Sequence, residues 1–273
     1  MIGKNPLGDY LQKNYRLWGN SPYQIISLHG GPGAVGGLGP LSKKLGSRIG
    51  IVEYLQMKKT IEEELSKLHD LITSLSALPA ILLGHSWGAV LSLLFAARYS
   101  SLLKKIILIG CPPLQEKYVE QLSATRWKRI SAGYEKEYQE IGKRMNSPDP
   151  KVREKAFQEF GLFFEKLDSF SFDEGAINED SSLYRFSYDI SRSIWNEFLP
   201  MRKNGAFLKE ISKIETEMVF IHGDYDPHPV IGIEEPLKSI NKSHKFYVLK
   251  DCGHSPWVEK QAKDEFFKIL YSE

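Results

Sequence analysis

Ser86 lies in Gly84-His85-Ser86-Trp87-Gly88, a G-x-S-x-G pentapeptide between the apolar run Ala80–Gly84 and the helical pattern Ala89–Tyr99. Three fixed positions in five recur by chance, so the flanking strand and helix give the motif its weight. In a strained strand-to-helix turn of this kind, a serine hydroxyl is held out at the carboxyl end of a sheet. Small residues are needed at both glycine positions, where chain segments pack close. The chemistry such a serine could do is nucleophilic attack on a carbonyl, provided a base and an oxyanion site stand near it.

His29-Gly30-Gly31-Pro32-Gly33 follows the earlier apolar run Gln24–His29. Closely spaced glycines let a backbone N–H approach a ligand oxygen without a Cβ in the way. An acyl-transfer site needs such a donor, paired with the N–H that follows the nucleophile, here that of Trp87. We assign the other donor to Gly31 in preference to Gly30. A phosphate cradle is the competing chemistry, and the segment lacks the G-x-x-x-x-G-K-[ST] pattern. Two late segments could supply the remaining groups: His222-Gly223-Asp224-Tyr225-Asp226-Pro227, and Cys252-Gly253-His254-Ser255-Pro256-Trp257-Val258-Glu259. Each follows an apolar run. His254 could accept the serine proton and return it to the leaving group. Either Asp224 or Asp226 could orient it. An aspartate directly after glycine readily bonds nearby backbone in a turn, which suits Asp224 to a structural part.

The pair HGGPG and GHSWG resembles the α/β-hydrolase superfamily, and within it the proline iminopeptidase-like branch. The likeness covers residues 24–114 and 217–271. It implies the chain order serine, acid, histidine. Its G-x-x-D spacing selects Asp226 as the acid, and its histidine loop matches His254 with a glutamate five residues on, Glu259. The branch usually carries D-Q-x-G-x-G-x-S after the second strand. Here that stretch reads Glu53-Tyr54-Leu55-Gln56-Met57-Lys58-Lys59, without glycines. Cap glutamates hold the substrate amine in those peptidases. Trp195-Asn196-Glu197-Phe198 resembles one such element, which nominates Glu197, with Trp195 beside it, for substrate binding. The carboxylate that some members carry directly after the acid is Pro227 here.

The elements that must position these residues follow from patterning. Apolar, β-branched runs at Gln24–His29, Ile49–Glu53, Ala80–Gly84, Lys105–Gly110, Glu217–His222 and Lys245–Lys250 suit strands buried on both faces. Helical patterns fall between several of them. Thr60 reads as an N-cap ahead of Glu62-Glu63-Glu64, followed by Leu65, Leu68, Leu71, Ile72 and Leu75 at helical spacing. Lys260–Tyr271 reads as a closing helix. The expected fold is α/β, a doubly wound, mostly parallel sheet with a helical insertion, which the resemblance implies is a cap. Residues 1–114 and 213–273 form the core and 115–212 the cap. Within the cap, Tyr118–Tyr138 and Pro150–Leu167 have helical apolar spacing, and its many phenylalanines pack it onto the core and line an apolar pocket at the seam.

Composition narrows the classes of function. The chain has 273 residues, 42% of them hydrophobic and 26% charged, with a net charge of +2. No basic stripe accompanies that charge, so no nucleic-acid partner is expected. Two cysteines, Cys111 and Cys252, are too few for a disulfide framework. The segment Met1-Ile2-Gly3-Lys4-Asn5-Pro6 lacks the apolar stretch of a signal peptide, and no apolar run is long enough to span a membrane. A cytoplasmic setting without a membrane partner is the expectation. His29, His85, His222 and His228 form no H-E-x-x-H pair, the cysteines lack C-x-x-C spacing, and no dinucleotide fingerprint occurs. Neither metal nor cofactor is expected. These readings converge on a serine hydrolase of small esters or amides that works through an acyl-enzyme on a small-molecule or short-peptide substrate. The alternatives are an iminopeptidase-like aminopeptidase and a binding protein that keeps the fold without turnover.

Overall fold

The computed structural model describes residues 14–176 and 184–273. The Met1–Pro6 segment lies outside the described residues, as does 177–183 of the expected cap. Seven strands form the main sheet: β1 (Tyr15–Trp18), β2 (Tyr23–Leu28), β4 (Gly50–Tyr54), β5 (Ser76–His85), β6 (Leu103–Ile109), β8 (Glu217–Gly223) and β9 (Lys245–Leu249). Their spatial order is β1-β4-β2-β5-β6-β8-β9. β1 is antiparallel to β4, and the other pairings are parallel. β3 (Ala34–Val35) and β7 (Arg185–Phe186) make a separate antiparallel pair.

Alternation along the strands sends apolar side chains to both faces, which explains the near-continuous hydrophobic runs. On β8, Met218 and Phe220 enter one core cluster while Val219 and Ile221 enter the other. The first cluster is covered by α2 (Ile61–Leu75) and α3 (Trp87–Tyr99). The second is covered by α1 (Gly39–Gly46), through Leu41 and Leu45, and by α10 (Lys263–Ser272), through Phe266 and Phe267. The sheet is doubly wound as expected. α2 starts as its sequence indicates, with Thr60 Oγ1 accepting the Glu63 N–H at 3.2 Å. α3 is buried from Trp87 through Ala96, so its apolar residues run right around the helix.

Between β6 and β8 the chain forms α4 (Val119–Ser131), α5 (Glu135–Met145), α6 (Pro150–Leu167), α7 (Tyr188–Lys203) and α8 (Ala206–Ile211). The stretch Tyr118–Tyr138 is not one helix. Gly133, at φ +149°, interrupts it and divides α4 from α5. α6 covers the Pro150–Leu167 of its helical spacing: Asp149 Oδ1 accepts the Lys151 N–H at 2.9 Å, and Pro150 fills the first turn. Ile130, Ile141 and Phe163 make a small core of their own, flanked by Tyr138, Phe160 and Phe164. After α8 and β8, α9 (Ile231–Ser239) joins β8 to β9. No helix among the described residues is long and apolar enough to cross a membrane.

Candidate active site

Ser86 sits between β5 and α3 at φ 53°, ψ −116°, a conformation a serine adopts only when its surroundings hold it there. The surroundings are tight. A Cβ at Gly84 would lie 2.4 Å from Gly88 O, and one at Gly88 would lie 2.0 Å from Leu28 O. The two glycines of the pentapeptide thus let α3 cross against β2 and β5. The Ser86 N–H donates to Ile109 O at 2.9 Å, tying the turn to the end of β6. The next residue, Gly110, lies against His254: a Cβ there would be 2.8 Å from His254 Nδ1. The end of β6 and the residue that follows it therefore lie against both the serine turn and the histidine.

The glycine turn reaches the same place. A Cβ at Gly30 would meet Ser86 Cβ at 2.9 Å, so this turn passes directly over the serine. Gly31 follows at φ +56° and accepts the Ala34 N–H at 2.7 Å, which shapes the turn. Trp87 opens α3, and its N–H has no carbonyl one helical turn before it. His29 anchors the turn from beneath. Its Nε2 accepts the Gln56 N–H at 3.1 Å, which leaves Nδ1 to donate to Gly30 O at 3.0 Å. Burial lowers the His29 pKa to about 4, so this tautomer persists as a neutral ring. Gln56 Nε2 also donates to His29 O at 2.8 Å. The glycine-poor stretch after β4 thus braces the glycine turn.

The Asp226 carboxylate is fully buried among three imidazoles. Oδ2 accepts from His254 Nδ1 at 2.8 Å. Oδ1 accepts from His228 Nδ1 at 2.7 Å and from the His228 backbone N–H at 2.9 Å. His222 Nε2 donates to His228 O at 2.7 Å and lies 3.5 Å from Oδ2. Burial alone would raise the Asp226 pKa, but His254, His228 and His222 together hold it well below the ordinary range. An ionised carboxylate only accepts, so both Nδ1 atoms carry the protons. Burial likewise pulls His254 down, yet the charge and hydrogen bond of Asp226, with Asp168 behind, leave its pKa raised. His228 has its pKa lowered to about 3, chiefly by burial, and is neutral. Asp224 is elsewhere engaged: its Oδ1 accepts the Cys252 N–H at 3.2 Å, bracing one loop against the next.

Asp226, His228 and His254 place three ligand-type atoms within 4.8 Å of one another. The 2.7 and 2.8 Å contacts are hydrogen-bond lengths. Ligands about a tetrahedral zinc at about 2.05 Å stand about 3.3 Å apart. The set is built as a proton network.

The histidine loop is held from three sides. His85 Nε2 donates to His254 O at 3.1 Å, and burial keeps that ring's pKa well below the ordinary value. Glu259, fully buried, accepts the N–H groups of Gly253, Phe170 and Ser171 at 2.8, 2.8 and 2.6 Å. The backbone after α6 adds to this, with the His254 N–H donating to Asp168 O at 3.1 Å and Lys260 N–H to Ser171 O at 2.9 Å. Two arginines of α4 complete the frame. Arg126 Nε donates to Asp168 Oδ2 at 2.9 Å, and Arg129 reaches Tyr225 O at 2.5 Å, beside Asp226. Nothing in sequence spacing pairs Arg126 and Arg129 with Asp168, or singles out His85 and His228 as supports.

The nominated cap residues are placed otherwise. Glu197 Oε2 accepts the Ile61 N–H at 2.8 Å, satisfying a free donor at the start of α2. Trp195 packs its ring edge-on to the buried Trp87, centroids 5.5 Å apart, with Phe198 completing the cluster. Glu197 thus has one carboxylate oxygen on the start of α2, and Trp195 packs against the residue that follows the serine. Of the insertion's phenylalanines, Phe163 and Phe198 are buried while Phe170 is 46% exposed against Tyr225.

The sequence model of the Alpha/beta hydrolase family matches residues 37–269. Among curated proteins, none matches the chain. Solved structures of similar fold include E-2-(acetamidomethylene)succinate hydrolase, at TM-score 0.64 and 16% identity over 94% of this chain and 93% of that one. The enol-lactonase from Burkholderia xenovorans aligns at TM-score 0.59 and 14% identity, covering 94% of each chain. The monoacylglycerol lipase of Paleococcus ferrophilus aligns at TM-score 0.60 and 14% identity over 94% and 96%.

Proposed function

Since the chain belongs to the alpha/beta hydrolase family, we propose that it is a serine hydrolase of small esters or lactones, acting through an acyl-enzyme. In this reading Ser86 attacks the carbonyl while His254 Nε2 takes its proton. Asp226 fixes the Nδ1–H tautomer of His254 and stabilises the imidazolium as it forms. The N–H groups of Gly31 and Trp87 receive the oxyanion. His254 then returns its proton to the leaving group and activates the water that releases the acid. The observation that carries the reading is the 2.8 Å bond from His254 Nδ1 to the buried Asp226 carboxylate, beside a serine held at φ 53°.

Esters and lactones are favoured over peptides because Pro227 stands where a second carboxylate would be needed and one oxygen of Glu197 already accepts the Ile61 N–H. Neighbours named as a lipase and an enol-lactonase agree with that class. Labelling with a fluorophosphonate, which phosphonylates activated serines, tests the proposal. Wild type should label at Ser86 and Ser86→Ala should not, with turnover of a p-nitrophenyl ester falling by about 10⁴–10⁶. An inert wild type would instead indicate a hydrolase-fold binding protein.

A further inference from the structure

Asp226 has two histidine side-chain partners of nearly equal hydrogen-bond length, and the proposed mechanism uses one of them. His228 donates Nδ1–H to Oδ1 at 2.7 Å, while His254 donates to Oδ2 at 2.8 Å. The two rings stack with centroids 4.5 Å apart and planes 27° from parallel. The grip on Oδ1 is double, since the His228 backbone N–H also bonds it at 2.9 Å. His228 itself is fixed, with its carbonyl accepting from His222 Nε2 at 2.7 Å. His228 as a whole is 5% exposed.

We infer that His228 is a positioning residue for the base: a neutral imidazole that clamps Oδ1 of Asp226, aims Oδ2 at His254, and tempers the basicity of His254. The inference rests on the proposed roles of Asp226 and His254. Two donors on Oδ1 fix the rotation of the carboxylate, and with it the direction of Oδ2. A hydrogen bond into Oδ1 also draws charge from the carboxylate, so Oδ2 supports the imidazolium less strongly than an unshared aspartate would. His254 therefore stays a free base to lower pH than it would without its neighbour.

The other groups that face this pair are Arg126 from α4, Glu165 from α6, Asp168 just after it, His85 from the serine turn and His222 from β8. Substitution at position 228 leaves all of them in place. His228→Phe keeps a ring for the stack and removes the side-chain donor, whereas His228→Asn keeps a donor. The pH dependence of kcat/KM on a p-nitrophenyl ester separates the two. For the phenylalanine variant the acid limb should move up by about half a unit or more. Its kcat should fall about ten- to a hundred-fold with KM little changed, as expected for a misaimed base. Asparagine should restore most of both. A limb that stays in place for phenylalanine, or moves equally for asparagine, overturns the inference, because loss of packing alone would not separate the two variants. Wild-type ¹⁵N-imidazole spectra give a second readout that survives a variant's failure to fold. They should show two Asp-bonded Nδ1–H protons, with His228 neutral from pH 5 to 9. A single such proton, or titration of His228 in that range, also overturns it. Fluorophosphonate labelling of wild type keeps the outcomes distinct. No labelling defeats the hydrolase reading, whereas labelling with an unmoved limb defeats only the role of His228.

Discussion

Glu259→Gln isolates what the buried carboxylate behind the histidine loop contributes. Oε1 accepts two backbone N–H groups, Phe170 and Gly253, both at 2.8 Å. Oε2 accepts the Ser171 N–H at 2.6 Å and its hydroxyl at 3.2 Å. An amide must point its NH₂ at one of these pairs. The less costly orientation turns it toward Ser171, whose hydroxyl can reverse and accept, leaving one backbone N–H stranded at about 2 kcal/mol. The two bonds that remain lose the help of a formal charge, about 1 kcal/mol each. The expected destabilisation is about 4 kcal/mol, which for 273 residues lowers Tm by about 7 °C. Urea unfolding followed by tryptophan fluorescence measures it, and ester turnover on the same preparation should fall because Gly253 leads directly into His254. A loss under about 1 kcal/mol, near that of an ordinary surface substitution, would show that the four donors find other partners and refute the reasoning.

Asp226→Asn should lower kcat by about 10⁴, because an amide facing His254 reverses its tautomer. Asp224→Asn should cost far less, since Asp224 only braces the Cys252 N–H; steady-state kinetics that rank the two the other way would move the acid to Asp224. The raised pKa of His254 implies that kcat/KM falls with decreasing pH along a limb centred above the 6.5 of an ordinary imidazole. A profile from pH 5 to 9 with its midpoint at or below 6.5 would contradict that electrostatic balance. Glu197→Gln should reduce stability by up to about 1 kcal/mol through its contact at the start of α2. The ratio of aminoacyl anilide to acyl ester turnover should not change, and a selective loss on the anilide would restore Glu197 as an amine ligand.

The strands of the parallel sheet were legible because burial on both faces leaves an unbroken apolar signature, as in Lys105–Gly110 and Glu217–His222 against the observed β6 and β8. β1 escaped notice. It is four residues long, half-exposed at the sheet edge and contains Arg16, so it has no such signature. The break at Gly133 was masked by helical spacing that continues on both sides of it. At the site, Ser86, Asp226 and His254 stand in short motifs whose residues act close to their own position in the chain. Their supports do not. His85 bonds a carbonyl 169 positions away, and Glu259 bonds backbone 88 and 89 positions away. Pairings of that kind leave no local pattern. His228 lies two residues from Asp226, yet its spacing alone resembles a turn histidine as much as a clamp.

The hydrogen bonds between the segment after α6 and the histidine loop bear on how interchangeable the parts of this fold can be. His254 has its N–H on Asp168, Lys260 has its N–H on Ser171, and Val258 receives the Asp173 N–H at 2.7 Å. The base of the proposed mechanism is thus held by the segment after α6 as well as by the sheet. Grafting a foreign helical stretch in its place, as one might to alter substrate preference, would exchange part of the histidine's scaffold as well. Recombination that preserves function has to leave residues 168–173 and 252–260 together as a single inherited unit, although about 80 positions of chain separate them. α5, of which only Ile141 is buried, contributes none of the hydrogen bonds named here. A laboratory library can place diversity on its exposed side chains without altering those bonds.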